Sequence, residues 1–205
     1  MSGSRQPEHF EHLYRADPDP WAYRSSAYER RKYRHTIDAL GGRRFVHGLE
    51  VGCSIGELTR LLADWCESLL GIDVVDAALA EAAARCAGRP HVRFARMQVP
   101  IAWPAGEYDL IVLSEVLYFL CAEDIDRLAR HVRHGIVAGG LVLLVNWLGD
   151  GGDPLSGDAA AERFMRAVSD DLCPRRRERR PEYRLDLLER PWPEAIRSAG
   201  IARGR

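Results

Sequence analysis

Residues Phe45 to Val74, FVHGLEVGCSIGELTRLLADWCESLLGIDV, constrain the fold of this chain more than any other stretch. A mainly apolar run of strand length, Phe45 to Val51, leads into the glycine-bearing turn Gly52-Cys53-Ser54-Ile55-Gly56. The helical pattern Leu58, Leu61, Leu62, Trp65 comes next, and then a second strand that ends on an acid. That succession is one βαβ half of a nucleotide-binding unit. At such a strand-to-helix turn, missing side chains let the backbone approach a ligand, and a carboxylate at the tip of the next strand can accept both hydroxyl hydrogens of a ribose. Asp73, 21 residues after Gly52, has the reach for that task.

A chain of 205 residues with 46% apolar content and a formal net charge of −1 fits one compact, soluble α/β domain. The charge balance argues against a general nucleic-acid surface, which shows as a strongly basic domain. The cysteines Cys53, Cys66, Cys86, Cys121 and Cys173 are odd in number, scattered and free of CxxC pairing. Reduced thiols in a cytoplasm fit that pattern better than a disulfide framework or a zinc site. No apolar run approaches the roughly 18 residues of a membrane span, and Met1 to Glu11 lacks a signal-peptide core, so a cytosolic protein is expected.

Three sections divide the single domain: an N-terminal helical arm over residues 1–42, a core over 43–147 and a closing section over 148–205. In the arm, Asp17-Pro18-Asp19-Pro20 breaks the chain, because each proline fixes its own φ and turns the preceding residue away from helix. A helix then begins at Ser26, with Glu29 completing a capping box and Gly41 as the stop; Tyr33, Ile37 and Leu40 share its inner face. Trp21, Tyr23 and Tyr28, interleaved with Arg24, Arg30, Arg31 and Lys32, form an aromatic and basic cluster. It reads either as a packed arm with a solvated basic face or as a lid over a pocket, with an arginine pairing a ligand carboxylate.

Beyond Asp73, the pattern predicts an alanine-rich helix capped by Asp76 and stopped at Gly88, then a short strand over His91 to Arg96. Tyr108 to Ser114, YDLIVLS, has the continuous apolar character of a central parallel strand and ends at Ser114-Glu115, where a ligand crevice belongs. An amphipathic segment from Glu123 to His134 and a strand from Leu141 to Val145, ending at Asn146-Trp147, continue a doubly wound, mostly parallel sheet flanked by helices. After the loop Gly149 to Gly157, Asp158 caps a helix, Arg175 to Arg180 reads as a solvated linker, and Tyr183 to Glu189 alternates like a half-buried strand. A short closing helix is expected over Pro193 to Gly200. His131 and His134 lie one helical turn apart, but no carboxylate or cysteine pattern accompanies them, and no metal is expected.

The acid inside the glycine motif separates this unit from dinucleotide folds. Glu50-Val51-Gly52-Cys53-Ser54-Ile55-Gly56 fits the pattern acid-x-Gly-x-Gly-x-Gly with Ser54 at the middle glycine. An acid there repels a pyrophosphate but accepts hydrogen bonds from an ammonium group. An amino-acid-bearing nucleotide satisfies both ends of the stretch.

Through DPWAYRSSAYERRKY, LEVGCSIGELT, GIDVV, RMQVP, YDLIVLSEVLYFL and LVNWLG, the chain resembles the class I S-adenosylmethionine-dependent methyltransferases. Within them it is most similar to the nodulation-type N-methyltransferases that modify chitooligosaccharide. The resemblance spans roughly Phe10 to Gly149. It implies S-adenosyl-L-methionine as cofactor, with Glu50, Gly52 and Gly56 around its methionine part, Asp73 at the ribose hydroxyls, and Cys53 and Val74 also in the cofactor site. Met97 and Gln98 then flank the adenine, and Ser114 with Glu115 line the floor near the sulfonium. Arg31 is expected to reach the methionine carboxylate. The acceptor expected is a small molecule, an amine of an amino sugar or related metabolite, with Glu115 as the acid nearest the chemistry. The aromatic cluster Trp21, Tyr23 and Tyr28 is expected to stack on a sugar or ring with Trp147 facing it, and Tyr118 is a further substrate-side candidate. O- or C-methylation of a natural product is the alternative, and a nicotinamide-dependent oxidoreductase a more distant one. Members of this class finish with two further strands, of which only Tyr183 to Glu189 is recognisable in the sequence.

Overall fold

The computed structural model describes residues 3–193, and in it the stretch around Gly52 lies at the centre of a seven-stranded sheet. Two helices precede the sheet, α1 (Pro7–Ala16) and α2 (Ala27–Ala39). The core then runs β1 (Phe45–Val51), α3 (Glu57–Leu62), β2 (Cys66–Asp73), α4 (Asp76–Arg85), β3 (Val92–Arg96), β4 (Tyr108–Ser114), α5 (Ala122–Gly135) and β5 (Ile136–Trp147). The chain closes with α6 (Gly157–Ala167), β6 (Cys173–Arg179) and β7 (Tyr183–Glu189). The strand order is β3-β2-β1-β4-β5-β7-β6, with β7 alone antiparallel to its neighbours. This is the doubly wound α/β architecture that the periodicity implies. Its order reverses between β1 and β4, so their carboxyl ends diverge and leave a crevice.

Both faces of the sheet are covered, which explains why β4 reads as an unbroken apolar run. Ile111 and Leu113 pack with Val142, Leu144 and the inner faces of α5 and α6, where Ile125, Leu128 and Phe164 are fully buried. Leu110 and Val112 pack on the other side with Leu143, Leu185, Leu58 and Tyr33, beneath α2 and α3.

Several local expectations are corrected. Asp76 is not the cap of α4: the cap position is Val75, and the Asp76 carboxylate pairs with Arg96 at 3.1 Å. That helix ends at Arg85, short of Gly88. Ser156, not Asp158, caps α6 by accepting the Ala159 N–H, because Asp158 is drawn to Arg179 and Arg184. Ser26 does cap α2, yet only half of a capping box forms, since the Glu29 carboxylate turns inward to Lys32. β5 begins at Ile136, five residues before Leu141, and its register against β4 shifts between Tyr108 and Leu110. Gly139, at φ +75°, takes up the irregularity.

The larger corrections concern the end of the chain. The run Arg175 to Arg180 is no linker. Most of it forms the edge strand β6, where its charges find acids: Arg175 with Glu189 (2.5 Å), Arg177 with Asp186 (3.3 Å) and Arg179 with Asp158 (2.9 Å). A charged edge of this kind resists pairing with another chain. β7 is buried on both faces because Arg184 and Asp186, its two buried charged residues, bond each other at 2.8 and 2.9 Å. The two last strands of the class are therefore β6 and β7. The helix expected over Pro193 to Gly200 lies outside the described residues apart from Pro193. Among the described residues, no helix is long and apolar enough to cross a membrane.

Candidate active site

Two cavities meet at the carboxyl end of β1 and β4. The first is a cleft with about 760 Å³ of empty space, lined by Gly52, Asp73, Met97, Gln98, Ser114 and Glu115, with Phe10 and Tyr14 of α1 along one side. Behind the Gly52 turn a smaller recess of about 300 Å³ is lined by Glu50, Cys53, Ser54 and Ser114. The second cavity, about 1020 Å³, lies between the arm and the end of β5. Glu115 lines all three.

The turn after β1 is held by its backbone. Gly52 and Cys53 both donate to the Ile72 carbonyl, and the Gly56 N–H donates to Cys53. Gly52 at φ +78° and Gly56 at φ +80° are left-handed, and a Cβ on Gly52 would stand 2.4 Å from Val116 Cγ2. These two glycines are thus required by the turn itself. Ser54, at the motif's middle position, also has positive φ, +49°, and its hydroxyl bonds the Tyr14 hydroxyl from α1.

Two carboxylates flank this turn. Glu50 is 1% exposed, and its Oε2 has no hydrogen-bond partner among the described residues. Burial pushes its pKa up to about 8, with the nearby Thr59 hydroxyl opposing and the charge of Asp73 adding to the rise. Asp73 is half-buried and accepts three backbone N–H bonds, from Ser54 (2.9 Å), Val74 (2.7 Å) and Val75 (3.1 Å). Burial raises its pKa as well, and those three bonds work against the rise. Two carboxylate oxygens offer about four lone-pair sites, so one remains after these bonds.

Glu115 follows β4 directly, in the left-handed region at φ +58°. A non-glycine residue persists there only when its surroundings fix it. Its Oε1 accepts from Lys32 Nζ at 2.6 Å, and its Oε2 from the Tyr118 hydroxyl at 2.9 Å and the Trp147 N–H at 2.8 Å. Lys32 is 2% exposed and also bonds Glu29 at 2.9 Å. Burial works against the charge on Lys32, but Glu115 and Glu29 outweigh it and hold its pKa above the ordinary lysine value.

The structure brings most of the sequence-predicted site residues together. Gly52, Asp73, Val74, Met97, Gln98 and Ser114 line the cleft, Glu50 and Cys53 the recess, and Trp21, Tyr23, Tyr28, Tyr118 and Trp147 the second cavity. Gly56 stands back from these spaces, packed against Ala82. Arg31 is exposed on the outer side of α2 and lines none of the three, because the helix turns Lys32 inward instead. Lys32, Glu29 and the α1 residues Phe10 and Tyr14 escape a reading of the sequence alone. Glu29, Lys32, Tyr33 and Thr36 have the i, i+3, i+4, i+7 spacing of one helical face, and all four are buried. The charge of two of them hides that face. His131 stacks on Trp103 at 5.6 Å, and His134 Nδ1 lies 2.6 Å from the Arg130 carbonyl.

The profile of the nodulation protein S (NodS) family matches residues 8–138. The chain belongs to this family. The match takes in the Gly52 turn, Asp73, Glu115 and the whole aromatic arm from Trp21 to Tyr33. Nodulation protein S of Sinorhizobium fredii is 33% identical over 131 residues, 63% of this chain and 59% of that protein. The chain spans about half to three fifths of the length of the curated NodS relatives it matches. The crystal structure of the N-methyltransferase NodS from Bradyrhizobium japonicum, in complex with S-adenosyl-L-homocysteine, superposes with a TM-score of 0.79 at 23% identity over 92% of this chain and all of that one. A Pseudomonas syringae protein assigned provisionally as a methyltransferase is 33% identical, with a TM-score of 0.71, over 80% of this chain and all of its own. The NodS likeness extends to the seven-stranded Rossmann-like sheet.

Proposed function

We propose that this protein is an S-adenosylmethionine-dependent methyltransferase whose acceptor is an amine nitrogen of a small molecule, an amino sugar or a related metabolite. The observation that carries this reading is the meeting of two cavities at one carboxylate. A nucleotide-type cleft stands on one side of Glu115, and an aromatic-walled space stands on the other. The NodS relative crystallised with S-adenosyl-L-homocysteine supports the same reading.

The residues present suit that cofactor. The unpartnered Glu50 oxygen would be satisfied by the ammonium of a methionine moiety, and the one remaining lone-pair site of Asp73 suits a ribose hydroxyl. Met97 and Gln98 offer a soft apolar face and an amide oxygen for an adenine and its exocyclic amine. With Arg31 facing solvent, the methionine carboxylate has to be met by other groups of the cleft.

S-adenosylmethionine supplies an electrophilic methyl group carried on a sulfonium. The chain's own residues orient the acceptor and exclude water. Trp21, Tyr23, Tyr28, Tyr118 and Trp147 provide flat surfaces on which a sugar or ring can lie. Glu115 is bonded to three donors, which fix its side chain in the shared wall.

The buried Tyr28 hydroxyl has no partner among the described residues and lines the second cavity. Burial raises its pKa to about 12, with Lys32 opposing, so it is a neutral donor at physiological pH. Tyr28→Phe is expected to leave thermal stability unchanged or raised, since it removes an unsatisfied polar group that costs about 1–3 kcal/mol when buried. The acceptor's KM is expected to rise by roughly tenfold for the hydrogen bond lost. A loss of stability with an unchanged KM would assign this hydroxyl to the fold instead.

The reading is tested with purified protein. S-adenosyl-L-homocysteine at about a hundred times its Kd is expected to stabilise it by about 2.7 kcal/mol, with no shift from NADH. Glucosamine and other primary amines, incubated with S-adenosylmethionine, should gain the mass of one CH₂. A shift with NADH alone, or methylation confined to hydroxyl or carbon acceptors, would overturn the amine assignment.

A further inference from the structure

The arm contributes more than aromatic walls, in a role that rests on the methyl-transfer reading. A primary amine reaching the second cavity at neutral pH arrives largely as an ammonium. Facing a bare carboxylate it would be held in that form, because an opposite charge within about 4–6 Å favours the charged state. An ammonium has no lone pair with which to attack.

In this protein the place beside the carboxylate is already taken. Lys32 Nζ stands 2.6 Å from Glu115 Oε1, while Tyr118 and the Trp147 N–H hold Oε2. Glu29, also in the cavity wall, binds Lys32 from the other side, and the Tyr28 ring lies under the ammonium with its centroid 5.0 Å away. Lys32 is thus a resident cation, enclosed and doubly paired. The geometry points to Lys32 as a positioning residue that occupies Glu115, so that the acceptor amine docks beside it as the free base. The proton that the ammonium gives up goes to bulk water on entry, and the lone pair on nitrogen is left free.

The groups facing Lys32 and the cavity are Glu29, Tyr28 and Tyr33 from α2, Tyr23 from the turn before it, and Glu115 and Tyr118 after β4. His9 and Arg5, the latter paired with Asp153, stand in the same wall. All of these are common to the parent and a Lys32 variant, so a difference between their pH profiles isolates Lys32.

The experiment compares the parent with Lys32→Met, using glucosamine as acceptor over about pH 6 to 10. The rising limb of kcat, which reports groups in the bound complex, is expected to move at least one unit to the alkaline side in the variant. Its rate at pH 7 then falls about tenfold or more and recovers at high pH. S-adenosyl-L-homocysteine binding should stay within about twofold, and Lys32→Arg, which keeps the charge, should restore the parent's pH dependence. Because Lys32→Met leaves the buried Glu29 and the half-buried Glu115 without their cation, the double variant Lys32→Met/Glu29→Gln serves where the single one does not fold, and it is read in the same way. A rate lowered uniformly with no shift of profile, or a shift as large in Lys32→Arg, overturns the role of Lys32 alone. A parent that transfers no methyl group to glucosamine or any other primary amine overturns the reaction itself, and this role with it.

Discussion

Glu50→Gln is expected to stabilise the unliganded protein at pH 8 by several kcal/mol while weakening S-adenosyl-L-homocysteine binding by more than about 30-fold. The two effects share one cause. Glu50 is 1% exposed, and burial pushes its pKa from 4.5 to about 8. The folded state therefore holds a proton that the unfolded chain gives up above about pH 4.5. Stability is greatest at acid pH and falls by about 1.4 kcal/mol per unit as the pH rises towards 8, where the loss levels off at up to about 5 kcal/mol. Glutamine does not ionise, so the variant's advantage should be small near pH 5 and grow steadily to pH 8. Thermal melts across that range decide the matter: a difference between the two proteins independent of pH would rule out a buried ionisation as its source. Binding should show the other side of the same proton. A ligand ammonium favours the carboxylate form, so the parent releases a proton on binding near pH 7, measurable by calorimetry in buffers of different ionisation enthalpy, and the variant releases none from this site.

Asp186→Ala should be the most damaging substitution remote from the cleft. Asp186 is 1% exposed and bonds two nitrogens of the buried Arg184, at 2.8 and 2.9 Å, as well as Arg177 at 3.3 Å. Removing one partner of a buried ion pair costs about 3–5 kcal/mol, because the charge left behind is neither solvated nor matched. Asp158 and Glu162 still reach Arg184, at 3.1 and 3.0 Å, which places the expected loss near the lower end, about 3 kcal/mol or roughly 6–12 °C in Tm. The double substitution Arg184→Met/Asp186→Leu should recover most of it, since an apolar pair of similar volume removes the unpaired charge. If the double variant is no more stable than Asp186→Ala, packing around β7 rather than charge governs the site.

How far a feature can be read in the sequence depends on how local its signal is. The Gly52 turn, Asp73 and the strand Tyr108 to Ser114 declare themselves because turn chemistry and unbroken apolar runs depend on near neighbours alone. β6 is hidden because its arginines look solvated until Asp158, Glu162 and Glu189 are brought beside them by the fold. β7 reads as half-buried because Arg184 and Asp186 appear polar one by one and cancel only as a pair. Lys32 is inconspicuous beside Arg31 for the same reason. Its partner Glu115 is 83 residues away, and a cation in a basic run gives no sign of facing inward. The aromatic arm is recognisable by composition, whereas the contact of Tyr14 with Ser54 requires α1 to be laid over the cleft.

Glu115, held in a left-handed backbone by three donors, is a wall common to both cavities. A common wall links two equilibria. If a ligand on one side displaces this carboxylate or its lysine, the affinity for the ligand on the other side changes, and thermodynamic reciprocity makes the factor the same in both directions. Donor and acceptor would then bind cooperatively without any movement between domains. The strength of their coupling could be read from the apparent Kd of either one, measured with and without the other.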